Sequence, residues 1–261
     1  MNRKLKLFLF IFFLSELNAQ IKLKEINESL VKVKDHLYAS KYEVSNKIYS
    51  EFISSLKQKN EQNLLQIANI DSLRWVDKIS FNEPYVKYYH THPAYFNYPL
   101  VNVSYEGAQL FCEWLTETYN SNTKRKFKKV KFKLPTEEEW MFAAQGGQTN
   151  AIYPWNENTL RNKKGQYLFN YKKELSDTMW IEGKYYKNTD VTAPVKSYWK
   201  NNFGIYNMGG NVSEMVNEKG ITKGGSWRED SEFMKIKNKN YNDGKAQSNV
   251  GFRYFMEILE K

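Results

Sequence analysis

Between Asn202 and Trp227 the chain reads NFGIYNMGGNVSEMVNEKGITKGGSW, and its first half concentrates oxygen donors. Asn207, Gly209, Gly210, Asn211, Ser213 and Glu214 bring two amides, a carboxylate and two glycines into one short run. Glycine lets the backbone turn sharply and point its carbonyls inward. Carbonyls beside Asn and Glu side chains form the hard oxygen set that calcium takes. The same Gly-Gly-Asn run also suits a plain tight turn with no ion. Local chemistry leaves both readings open. His90 and His92 are a second candidate, since on a strand they would share one face. No third ligand accompanies them, and the stretch Tyr85 to Tyr95, rich in aromatics and broken by Pro93, reads better as a packed loop.

The elements that must hold these residues can be read from caps and periodicity. Ser45 suits a helix N-cap, and Ile48, Phe52, Ile53 and Leu56 follow at helical spacing. A second helix is expected around Asn63 to Ile79. Ser104 caps another helix, with Glu106 in its first turn, where a carboxylate suits the positive end. Ala108, Phe111, Cys112 and Leu115 make its apolar face, so Cys112 reads as a buried core residue rather than a nucleophile. Thr136 with Glu139 is a capping box, Trp140, Ala143 and Ala144 form the buried face, and Gly146-Gly147 ends the helix. Strands are expected within Ile21 to Lys34, at Leu37 to Val44, at Leu100 to Val103, and near both Gly224 to Trp227 and Val250 to Phe255. Val130, Phe132 and Leu134 alternate with lysines, the period of a half-buried strand with a solvated cationic face. From Trp155 onward periodicity fades into loops and short strands. One loop-rich α+β domain accounts for the pattern.

Composition narrows the class. The chain has 261 residues and a formal net charge of +10. It opens Met1-Asn2-Arg3-Lys4, then runs from Leu7 to Leu14 without a polar residue, far short of the ~20 residues that cross a bilayer. A basic start, a short apolar core and Ala19 describe a signal peptide over residues 1–19. Residues 20–261 are then expected to be exported, to the periplasm or outside the cell, with no transmembrane segment. Positive charge favours anionic partners, but an exported protein seldom meets nucleic acid, and none is expected here. The single cysteine, Cys112, excludes an intramolecular disulfide, a cysteine metal cluster and a lipid-anchoring cysteine beside the cleavage point.

Taken in order, YEVSNKIYSEF (42–52), YPLVNVSYEGAQLFCEWL (98–115), KLPTEEEWMFAAQGG (133–147), YPWN (153–156), NFGIYNMGGNVSEMV (202–216), KGGSW (223–227) and VGFR (250–253) resemble the formylglycine-generating enzyme, or sulfatase-modifying factor, family. The resemblance implies an elaborated C-type-lectin-like α+β domain, poor in regular structure and steadied by calcium. It places a calcium loop on the side chains of Asn207 and Glu214 and the carbonyls of Gly210 and Val212. A second calcium site would fall on Asn170 and the Tyr171 carbonyl, with Lys187 standing where an aspartate is needed, so it is not expected to survive.

The family's copper-binding cysteine pair, which oxidises a substrate cysteine to formylglycine, follows its Gly-Gly-Ser-aromatic motif. Here Glu229 and Met234 stand near those positions, and Ser213 replaces the tryptophan of the active-site wall. Soft thiolates are what hold Cu(I), so the resemblance implies no copper and no formylglycine synthesis. Related sulfoxide synthases take iron through a histidine cluster from another domain, and this chain has three histidines in all. Ser213, Ser226, Trp227 and Glu229 remain as a candidate cleft. Glu229, Asp230 and Glu232 also fit a solvated acidic turn.

The segments from His92 to Val101 and from Gly210 to Glu214 look like the gliding-motility and type IX secretion lipoproteins of Bacteroidota. The expectation is a non-catalytic binding or scaffold protein of the cell envelope, meeting a protein or glycan through Tyr85 to Tyr98, Tyr185, Tyr186 and Trp199. An enzyme of altered chemistry in the same cleft, using Ser226 or Glu229 on a peptide or small molecule, is the alternative.

Overall fold

The computed structural model describes residues 23–76, 82–155, 159–172, 179–181, 184–186 and 191–261. The expected signal segment and Lys187 lie outside the described residues. The first described element is a helix over 23–29, α1, where a strand was expected; the strand follows it as β1 (Leu30–Lys34) and pairs with β2 (Leu37–Ser40).

Helices α2 (Asn46–Gln58) and α5 (Tyr105–Asn120) begin where their serines place them, with Ser45 accepting from the Ile48 amide and Ser104 from the Gly107 amide. Each hydroxyl satisfies one of the amides that a helix start leaves without a partner. Between them lie α3 (Gln62–Ile67), a 3-10 turn (Ser72–Trp75) and α4 (Glu83–Tyr88). The long helix expected from Asn63 to Ile79 is therefore cut short at Ile67. Beyond it the Asp71 amide is drawn to the Asn102 carbonyl at 2.8 Å, a long-range bond that a continuous helix would forbid.

Strand β3 (Lys129–Lys133) shows the expected alternation, with Val130 and Phe132 buried between exposed lysines. Helix α6 (Glu137–Gln145) carries the full capping box of Thr136 and Glu139 and ends on Gly146 at φ +60°. The short strands β4 (Met179–Ile181) and β5 (Lys184–Tyr186) pair with each other; the side chains of Tyr185 and Tyr186 lie outside the described residues.

Two four-stranded sheets complete the frame. One runs β1-β2-β10-β3 and is antiparallel throughout, with β10 (Phe255–Glu260) at its centre. The other is built from β6 (Ser213–Met215), β7 (Ile221–Lys223), β8 (Lys239–Tyr241) and β9 (Val250–Gly251), in the order β8-β7-β6-β9. The Gly224–Trp227 segment is loop rather than strand. So is Leu100–Val103: Pro99 has no amide to give, and Asn102 takes φ +63°, which a strand does not accept.

The main core lies between α2, α5 and the first sheet, where Tyr49, Phe52, Phe111, Leu115, Phe132 and Tyr254 are packed without solvent contact or nearly so. Burying each such side chain contributes about 1.5–3 kcal/mol. Cys112 sits in this core, and burial pushes its thiol well above the usual range. Among the described residues no helix is long and apolar enough to cross a membrane.

Candidate functional site

Strand β6 divides the site, because adjacent residues on it face two different environments. The loop that leads into β6 turns through left-handed backbone at Asn207, Gly210 and Asn211. At Gly210 a β-carbon would lie 2.3 Å from the Asn170 carbonyl oxygen, so only glycine fits. The Gly210 amide gives to the Gly224 carbonyl and the Asn211 amide to the Asn170 carbonyl, which ties the loop to two distant segments.

Glu214, the loop's only carboxylate, is buried and fully engaged. Its Oε2 accepts from Trp140 Nε1 at 2.7 Å and from Arg253 Nε at 2.6 Å, while its Oε1 accepts from Arg253 Nη2. Arg253 is itself fully buried and spends its other donors on the Ser40 and Tyr206 carbonyls. Glu43, which sequence reasoning did not single out, joins from the link between β2 and α2. Its oxygens accept from Asn207 Nδ2 at 2.9 Å and from Asn211 Nδ2 at 2.8 Å.

Two carboxylates thus share one guanidinium, and Arg253 bonds to Glu214. Glu43 is left in a buried site with amide donors only. Burial raises its pKa to about 8, against the pull of Arg253 and of the two asparagines. A free carboxylate so placed holds a proton at neutral pH.

Calcium was expected on Asn207, Gly210, Val212 and Glu214. As folded, this set does not fit. The ion takes six to eight oxygens, charged ones among them, and the charge of Glu214 is already matched by a guanidinium bound edge-on. Among the described residues no cluster of three His, Cys, Asp or Glu side chains could hold a metal. Asn170, expected at a second site, gives its amide to the Val191 carbonyl and the Asn211 side chain.

Ser213, one residue before Glu214, meets a different surrounding. Its hydroxyl is buried and has no hydrogen-bond partner among the described residues. Its amide gives to the Asn249 carbonyl, and the Asn249 side chain gives to Glu229 Oε1 at 2.8 Å. The other oxygen of Glu229 accepts from the fully buried Ser226 hydroxyl, which also takes the Arg228 amide. Ser213, Ser226 and Glu229 are therefore linked, with Asn249 as a member that the sequence did not mark. Burial raises the Glu229 pKa, while the bonds from Ser226 and Asn249 oppose the rise. Such a serine–carboxylate–amide chain has the form of an oriented proton acceptor.

Trp227 roofs the cleft. Its ring stacks on Trp75 at 6.3 Å between centroids, and Arg228 lies over it at 5.0 Å. Trp75 is wedged against Tyr85 and Tyr89, in a cluster with Val101, Val191 and Val212. In the stretch from Tyr85 to Tyr98, expected to meet a partner, Tyr88 stays exposed while the other tyrosines pack together. Tyr89 is fully buried and bonded to Pro99 and Thr192, and Tyr85, Tyr95 and Tyr98 pack on it or on Trp75. His90 and His92 are not a metal pair. His90 lies between Asn46 and Asn102, with burial lowering its pKa to about 3, and His92 caps the turn at Pro93.

Met234, near one expected cysteine position, is fully buried, and its sulfur fills the space where a Gly225 side chain would be. A Cu(I) centre of the kind the resemblance implies takes a pair of soft thiolates. The only cysteine, Cys112, lies in the α5 core with a burial-raised pKa. The residues present do not fit that metal either.

Comparison with known proteins agrees with this geometry. Residues 16–258 match the sulfatase-modifying factor enzyme 1-like domain. The chain is similar to the formylglycine-generating enzyme of Mus musculus, 32% identical over 128 residues that cover 47% of this chain and 27% of that protein. It is also similar to the inactive C-alpha-formylglycine-generating enzyme 2 of Bos taurus, 27% identical over 50% of this chain and 38% of that one. The chain thus spans less than half the length of these relatives. Among solved structures, Treponema denticola variable protein 1 superposes with a TM-score of 0.55 at 19% identity, covering 85% of this chain and 84% of the other. With the family match running through most of its length and the same α+β architecture in its structural neighbours, the chain belongs to the sulfatase-modifying factor enzyme 1-like domain family.

Proposed function

We propose that this is an exported, non-catalytic binding or scaffold domain of the cell envelope, of the kind used in gliding motility and type IX secretion. The observation that carries the reading is the chemistry at the Gly-Gly-Ser-Trp motif. Where the family resemblance calls for two thiols, Glu229 is bonded to Ser226 and Asn249, and Met234 is packed into the core. The frame around them is held by the buried Glu214–Arg253 pair. Relatives that bear the name of inactive formylglycine-generating enzymes support a role without that oxidation. The basic, apolar first residues support export.

Two measurements test it. Purified protein, supplied with copper and oxygen, is expected to leave a cysteine-containing sulfatase-motif peptide unchanged by mass spectrometry. Formylglycine in the product would sink the reading. Cell fractionation is expected to recover the protein in the periplasmic or extracellular fraction, and recovery in the cytosol would refute export.

The linked Ser226, Glu229 and Asn249 favour a second reading, an enzyme of altered chemistry in which Glu229 moves a proton for a peptide or small molecule. That reading requires turnover that Glu229→Gln abolishes while the fold persists.

A further inference from the structure

We propose that the lysine-rich edge formed by β3 and the turn before it seats the domain on an anionic phospholipid surface, with Leu259 entering the headgroup layer. This names a surface and a partner class for the binding role proposed above, on which it rests. The edge belongs to the first sheet, whereas the Ser226–Glu229 cleft adjoins the second.

The charge is dense in sequence and open in space. Residues 124–133, KRKFKKVKFK, hold six lysines and one arginine. Strand β3 is the outermost strand of its sheet, and Lys129 and Lys131 stand exposed on the face away from Val130 and Phe132. The acids at this edge are already matched, Glu260 by Lys128 at 2.6 Å and Glu257 by Lys133 at 3.4 Å. Among the described residues Lys126, Lys129 and Lys131 form no ion pair. Lysines guard an edge strand against pairing with another chain. That need ends with the strand, and here the charge continues back through the turn.

The turn is firmly mounted. Arg125 gives Nε to the Lys128 carbonyl at 2.8 Å and Nη1 to the Asn122 carbonyl at 3.0 Å. Phe127 packs on Tyr38 at 5.7 Å between centroids, and its amide gives to the Tyr119 hydroxyl. The guanidinium of this run is thus engaged within its own turn, and the charges that face outward are ammonium groups. Beside them Leu259 lies in a bulge of β10, between Ile258 opposite Val130 and Glu260 opposite Lys129, and it is 48% exposed.

These features select a charged plane over a discrete ligand. A guanidinium grips one phosphate or carboxylate with a two-pronged fork, whereas an ammonium is a point charge that answers to a field. Lysines raised on a strand edge and its turn can meet a flat surface together. An exposed leucine among them is unfavourable in water and favourable at the boundary between headgroups and acyl chains. Nucleic acid matches the charge but calls for rings on which bases stack. The rings of this run, Phe127 and Phe132, are packed against the core.

The test is co-sedimentation with vesicles of equal parts phosphatidylglycerol and phosphatidylcholine, beside vesicles of phosphatidylcholine alone. The protein is used as residues 20–261, which hold the whole described fold and leave out the apolar leader. Binding is expected to the mixed vesicles only, and to weaken steeply as salt rises. Lys126→Ala/Lys129→Ala/Lys131→Ala is expected to weaken it about a hundredfold, since each lysine near an anionic leaflet is worth about fivefold. Leu259→Ser is expected to weaken it about fivefold. Lys163→Ala/Lys164→Ala/Lys172→Ala removes the same charge from the loops around Tyr167 and is expected to change it less than about twofold. Circular dichroism shows whether each variant is folded. Equal losses from the two triple variants would reduce the effect to net charge and overturn the proposal. So would an unchanged affinity in Leu259→Ser, equal binding to the neutral vesicles, or tighter binding of a single-stranded oligonucleotide or of heparin. Absence of binding to the mixed vesicles overturns it too, while the non-catalytic reading still stands or falls on the peptide oxidation assay.

Discussion

Glu214 and Ser213 are neighbours on β6, and the two sides of that strand have been built to opposite standards. On the Glu214 side every strong donor finds an acceptor: Arg253, Trp140, Asn207 and Asn211 close a network around two carboxylates. On the Ser213 side polar groups are buried without partners. Among the described residues the Ser213 hydroxyl, Trp75 Nε1, the Asn82 side-chain amide and Asn102 Oδ1 are all unmatched. A buried group left unpaired costs about 1–3 kcal/mol, so a fold tolerates several only where another demand shaped the site. One half is ordered by paired charges and amides, whereas the other is held by rings that fit by shape.

The largest effect that could break this contrast comes from Arg253. Arg253→Ala leaves Glu214 charged and buried, and it is expected to cost about 3–5 kcal/mol in denaturant unfolding. A loss of less than about 1 kcal/mol, the scale of a surface pair, would show that the network is not the frame's anchor.

Next in size is the pH dependence of Glu43. The folded protein holds that proton up to about pH 8, while the unfolded chain releases it near the ordinary glutamate value of 4.5. The folded state therefore binds more protons across this window, and stability falls as pH rises through it. Glu229, raised by burial, acts in the same direction. Melting temperatures measured from pH 5 to pH 9 are expected to decline, and Glu43→Gln is expected to flatten the slope. A stability that climbs with pH across that range would contradict the assignment of the shared guanidinium to Glu214.

Smaller effects sharpen the other side. Ser213→Ala removes an orphaned hydroxyl and is expected to leave stability unchanged or to raise it by about 1 kcal/mol. A clear loss would mean that the hydroxyl has a partner, such as an ordered water. The smallest expected effect is that of chelation. EGTA should not move the melting temperature, because Glu214 is spent on Arg253. A drop that Glu214→Ala abolishes would return the loop to calcium.

Much of this was legible in the chain. Ser45, Ser104 and Thr136 fixed helix starts, and Gly146 fixed an end, because caps act over three or four residues and carry their own chemistry. Val130 and Phe132 announced a half-buried strand by their period. Motif resemblance pointed to Ser213, Ser226 and Glu229, and the fold links these three through Asn249, which no local signal marked. The expected strand at Leu100–Val103 failed because its apolar run hid a left-handed Asn102, a conformation set by contacts with the Asp71 amide and the Gln247 carbonyl.

By itself the sequence determined that no two thiols can meet within this chain, since it contains one cysteine. It also determined where α2, α5 and α6 begin. Only the tertiary structure decided that Glu214 answers to Arg253, that Glu43 enters from 164 residues away to meet Asn207, and that Tyr85, Tyr95 and Tyr98 pack around Trp75 and the buried Tyr89. The physical reason is range. A cap or a period is satisfied within a turn or two of chain, but a charge is paired, and a ring buried, by whichever distant segment the fold brings against it.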